Sequence, residues 1–171
     1  MTTSNPPNDV GGRSGPIPAD RVILELIEQA SQSLADAEGA RQMTGTQLTR
    51  GREIADRFAV IARGGAEYEE WGAVNHAAAL LSTRLKRAAR TAERIRQEAR
   101  DLADEAERVS ERCGTELSIS GRAPKQDALE ARKTALRAWA VADETMTAAH
   151  AMLVALLEQH LALLKGPGMA A

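Results

Sequence analysis

Apolar side chains recur along this chain with the spacing of helix faces. The clearest run steps alternately by four and three residues from Val74. It meets Ala78, Leu81, Leu85, Ala88, Ala92, Ile95, Ala99, Leu102, Ala106, Val109 and Cys113, all apolar. A repeat of this kind is a heptad seam, and it excludes a strand. Much of the seam is alanine, which lets a partner helix approach closely. A first segment follows the same rule through Ile23, Ile27, Ala30, Leu34 and Ala37, then Arg41, Thr44, Leu48 and Gly51, and again Ala55, Phe58 and Ala62. A third runs Leu129, Arg132, Leu136, Trp139, Asp143, Met146, His150, Leu153, Leu157, His160 and Leu164. Both are apolar toward their ends and interrupted in the middle.

Breakers set the boundaries. Four of the six prolines fall at positions 6, 7, 16 and 18, and none lies between Ala19 and Ala123 or between Lys125 and Gly166. Proline costs about 3 kcal/mol inside a helix, so these gaps permit long ones. A basic residue followed closely by glycine marks a helix stop at Arg63-Gly64, at Arg112 before Gly114 and at Lys165-Gly166. Asp20 suits an N-cap, and Pro124 suits a first helical position. The pattern predicts helices over 20–63, 66–113 and 124–165, joined by a polar connection over 114–123 in which Leu117 and Ile119 can pack back. Residues 1–18, rich in Pro, Gly, Ser and Asn, read as a disordered tail, and 166–171 as a short C-terminal one. The expected fold is all-α: an elongated, antiparallel, coiled-coil-like three-helix bundle over 19–165, running up, down and up.

The stretch GARQMTGTQLTRG, residues 39–51, carries three glycines in mid-helix. Two readings follow. In one, the glycines thin the first helix where Ala88, Ala89 and Ala92 thin the second, and Arg41 reaches Asp143 across the waist to fix register. In the other, the glycines, at about 1 kcal/mol each, kink or split the helix.

Composition narrows the chemistry. Of 171 residues, 43% are hydrophobic but only 2% aromatic, and 33 are alanine. Such a chain suits long helices along narrow seams better than a bulky core. The net charge of −2 draws the protein to neither nucleic acid nor membrane. Cys113 is the sole cysteine, which excludes an internal disulfide and a multi-thiolate metal site. No signal-peptide core opens the chain, so a cytoplasmic location is expected unless a leaderless route exports it. Arginine outnumbers lysine 18 to 4, a bias common in GC-rich bacterial genomes.

Three histidines, His76, His150 and His160, form no HExxH or Glu-x-x-His pattern, and no metal or other cofactor is expected. Nucleotide loops and nucleophile elbows are missing from the sequence, and no catalytic set assembles. The run RLKRAARTAERIRQEAR, residues 84–100, is basic, but Asp101, Asp104, Glu105, Glu107 and Glu111 follow at once. Without aromatic stacking this is a solvated face rather than a nucleic-acid surface. No family motif is recognised.

The stretch AAHAMLVALLEQHLALL, residues 148–164, is apolar almost all round. One helix of a bundle needs only part of its circumference apolar, so the excess is a candidate contact surface, with Met152, Leu156, Leu161 and Leu163 as its residues. Glu158 and Gln159 argue against a membrane span, leaving at most weak membrane-surface contact. The expected function is non-enzymatic: contact with a protein partner, as a homo-oligomer or an adaptor. The alternative is a ligand or reaction site at the waist formed by Arg41, Asp143 and His150.

Overall fold

The computed structural model describes residues 19–64, 68–113 and 123–165. The predicted disordered tail, the packing of Leu117 and Ile119, and the C-terminal tail fall outside what it describes, while Asp20, expected as an N-cap, lies within the first helix. Three helices account for nearly all of the described chain: α1 (Ala19–Ala62), α2 (Tyr68–Arg112) and α3 (Pro124–Lys165), of 44, 45 and 42 residues. At 1.5 Å per residue each is about 60–70 Å long. Local chemistry sets their ends. Gly64 takes a left-handed φ of 83°, and its N–H donates to the Ile61 carbonyl at 3.0 Å, closing the last turn of α1. Pro124 opens α3, where its missing N–H costs nothing, and the Ala123 carbonyl accepts from the Gln126 N–H at 2.8 Å.

The core is a stack of layers whose membership gives the topology. Leu26 packs with Ala106 and Ala131, Ala30 with Ala103 and Ala135, and Ala37 and Ala40 with Ile95, Ala99, Ala138 and Ala142. Farther on, Leu48 and Ile54 meet Leu81, Leu85, Ala149 and Leu156. Residue numbers climb together in α1 and α3 and fall in α2, so the helices run up, down and up. All three helices pack on one another, α3 more extensively than the other two. Alanine dominates the first half of this stack: Ala30, Ala37, Ala99, Ala106, Ala135, Ala138 and Ala142 are all at most 1% exposed. Small side chains let the axes come together, and close approach replaces bulk as the source of dispersion contacts.

The α2 seam is as predicted, every one of its twelve positions from Val74 to Cys113 being buried or half-buried. The other two seams are turned. On α1 the innermost line is Ile23, Leu26, Ala30, Ser33, Ala37, Ala40, Thr44, Gln47, Gly51, Ile54 and Phe58, all buried or half-buried. It shares every second position with the expected seam and replaces the rest by the preceding residue. On α3 the shift is complete. The core line is Ala128, Ala131, Ala135, Ala138, Ala142, Thr145, Ala149, Met152, Leu156, Gln159 and Leu163, each one residue before the expected position. Periodicity sets the spacing of a seam. It does not choose between adjacent stripes when one is alanine and the other is leucine.

The glycine-rich stretch neither splits nor breaks α1, which runs unbroken through 39–51. Gly51 has a packing role: a Cβ there would lie 2.5 Å from Met152 Sδ. The methionine of α3 fills the notch that glycine leaves. Gly39 and Gly45 are exposed, and a Cβ on either would meet nothing within 4 Å.

Candidate functional site

The waist is narrow, as expected, but its polar pair is different. Because Ala40 occupies the seam, Arg41 is turned into solvent, and it does not meet Asp143. Asp143, on the flank of α3, accepts instead from Arg96 of α2 at 3.1 Å. Arg96 also donates to Glu93 at 2.9 Å. These bonds, Glu93's first and then Asp143's, raise the pKa of the guanidinium above the ordinary arginine value. A second cross-helix pair joins Arg132 of α3 to Glu107 of α2 at 3.1 Å. Both lie at the rim and are partly solvated, so they orient α3 against α2 more than they stabilise it.

Polar groups do enter the seam, from other residues. Ser33 and Thr44 of α1 are buried, as are Ser110 of α2 and Thr145 of α3. The Thr145 and Ser110 hydroxyls donate to carbonyls in the preceding turn, Val141 at 2.7 Å and Glu107 at 2.7 Å. Ser33 Oγ, Thr44 Oγ1, Gln47 Oε1 and Gln159 Oε1 have no hydrogen-bond partner among the described residues. The alternative ligand site is not assembled. His150 is exposed beside Lys86, Arg90, Glu93 and Met146, in a hollow that includes neither Arg41 nor Asp143. His76 is exposed, and His160 packs its ring edge-on against Phe58 at 6.2 Å between centroids. Among the described residues no three His, Cys, Asp or Glu side chains cluster as a metal site would need.

Of the four residues expected to carry the apolar surplus of α3, one does. Leu156 is 3% exposed and belongs to the core. Met152 is half-buried and plugs the Gly51 notch, and Leu163 is half-buried on the core line. Only Leu161 faces out, at 44% exposure. The rotation that placed alanine inside carried the leucines outward. Val154, Leu157 and Leu164 join Leu161, at 53%, 58% and 60% exposed. Their spacing of three, four and three residues makes them one stripe on a single helix face. Leu24, Met43, Val60, Leu80 and Leu129 are also exposed, but none of them belongs to a line of this spacing, and scattered apolar exposure is ordinary for a protein surface. The stripe borders a groove of about 500 Å³ between α2 and α3, with Ala78, Ala79 and Ser82 on one wall and Leu153, Val154 and Leu157 on the other.

The two apolar stripes together make α3 hydropathic. One of its 18-residue windows averages 1.3, long and apolar enough by length and composition to cross a membrane, with 11% of that window buried. The sequence did hold a signal for the outward stripe: positions 154, 157, 161 and 164 already have heptad spacing. Two of its members, Leu157 and Leu164, were placed on the core seam because leucine usually wins that place, but the line one residue before them, largely alanine, holds it.

Compared with known proteins, the chain matches no family model, no curated protein and no solved structure.

Proposed function

We propose that this bundle acts by protein contact, through helix packing on the outer stripe of α3, with a second copy of the chain as the first partner to test. One observation carries the reading: Val154, Leu157, Leu161 and Leu164 form a coiled-coil-spaced apolar line that the bundle leaves uncovered. A line of this spacing is what one helix offers another, and solvating it costs free energy that a partner helix recovers. No catalytic role is proposed for any residue.

Sedimentation of the purified chain over a wide concentration range tests this. A concentration-dependent dimer or higher oligomer is expected. Leu161→Glu with Leu164→Glu should yield a monomer of unchanged helicity. A wild type that stays monomeric throughout removes the second copy as partner. The wider contact reading then fails if the Glu double variant and the wild type capture the same proteins from cells.

A further inference from the structure

The groove between α2 and α3 is apolar along its length and cationic at one end. From Asn75 to Lys86 it runs about 16 Å along α2. Its small side, Ala78 and Ala79, faces the bulky side, Leu153 and Leu157. Lys86 closes one end and also lines the adjoining hollow with Arg90. Neither Lys86 nor Arg90 has an ion-pair partner among the described residues, whereas Arg94, Arg100 and Arg108 farther along α2 are each paired. Glu93 is the one acid lining that end, and it is already bonded to Arg96. One uncompensated cation, Lys86, therefore closes the end of an apolar trough, and a second, Arg90, stands one turn beyond it in the adjoining hollow. The trough's volume of about 500 Å³ lies in the range of small-molecule sites, and its lining has their character: mostly apolar, with a few polar groups that fix orientation.

We propose that this groove binds an anionic amphiphile with a linear hydrocarbon chain and a carboxylate or phosphate head. The chain lies between Ala78, Ala79 and Leu153, Leu157, and the head sits at Lys86 and Arg90. The charge of the head selects the end, and the alanine wall sets the width. This site goes beyond the protein-contact reading and stands without it, although Val154 and Leu157 border both surfaces.

Calorimetric titration of the full chain with laurate, dodecyl phosphate and dodecyltrimethylammonium, each below its micellar concentration, tests the proposal. Both anions should bind at one site per chain, and the cation of equal chain length about tenfold or more weaker. Tighter binding of dodecyl phosphate assigns the site to phospholipid-type heads, and tighter binding of laurate to free fatty acids. Lys86→Glu with Arg90→Glu should weaken the anions by about tenfold or more, and Ala79→Trp should block all three ligands. Leu161→Glu with Leu164→Glu, outside the groove, should leave binding intact while removing protein contact, so the two readings fail separately. Equal affinity for the cationic and anionic ligands, many weak sites per chain, or undiminished binding in both groove variants overturns the proposal.

Discussion

The third helix presents two neighbouring stripes that do opposite things. The inner one is mainly alanine and is sealed: Ala135, Ala138, Ala142 and Ala149 are all at 0% exposure. The outer one is mainly leucine and is wet over its last turns, Leu157 and Leu164 being 58% and 60% exposed. Hydrophobicity alone would exchange them. Close approach is what alanine offers: when all three helices supply small side chains at one height, their backbones come together, and a leucine in that layer would push them apart. The bundle is therefore held chiefly by close approach through its first half, where Ile23, Leu26 and Ile95 are the few bulky buried side chains, and by more bulk past the waist, where Leu81, Leu85 and Leu156 fill the core. The leucines left outside are available for something else.

Several substitutions bear on this contrast. The largest effect belongs to Leu156→Ala, which empties a buried site and should cost about 2–5 kcal/mol in urea unfolding. The same change one residue on, Leu157→Ala, should stay within about 0.5 kcal/mol for the monomer. Equal losses at both positions would show that the stripes are not distinct. Next comes Ala138→Leu, expected to cost about 1–3 kcal/mol by overpacking, whereas Ala151→Leu on the exposed face should be close to neutral. Thermal melts followed by circular dichroism would report both.

Gly51→Ala brings a Cβ within 2.5 Å of Met152 Sδ, so the methionine must move, and that cost should cancel the gain of about 1 kcal/mol alanine otherwise gives a helix, leaving the melting temperature no higher than the wild type's. Combining it with Met152→Ala should show strong coupling, since one change makes room for the other. Gly39→Ala and Gly45→Ala should do the reverse. Each points into open space and should stabilise by about 0.4–1 kcal/mol. Smallest of all, Arg41→Ala should leave the melting temperature unchanged, while Asp143→Ala frees Arg96 from its cross-helix bond and lowers it slightly.

Much of the architecture was legible before any coordinates. Heptad spacing, the proline gaps and the glycine stops place three long helices, and the ten-residue polar connection with the short turn near Gly64 makes them neighbours in an up-down-up order. The α2 seam was legible in outline, all twelve expected positions being buried or half-buried, although Ala89, Ala103 and Ser110 lie deeper than their seam neighbours Ala88, Leu102 and Val109. The site was less legible. Val154 and Leu161 were legible as apolar residues off the seam, and both face out, but Leu156 was not recognised as core, and Leu157 and Leu164 were placed on the core seam.

What the sequence determined by itself is local and periodic: where helices start and stop, how long they run, and that their apolar positions repeat every three and four residues. What only the tertiary structure decided is the rotation of each helix about its own axis. A turn of about 100° separates adjacent stripes, and α1 and α3 each carry two that could face inward. The choice rests on whether facing side chains at one height fit together, a property of three helices at once. That fit sent Arg41 to solvent, gave Asp143 to Arg96, set Gly51 against Met152 and left the leucines of α3 uncovered.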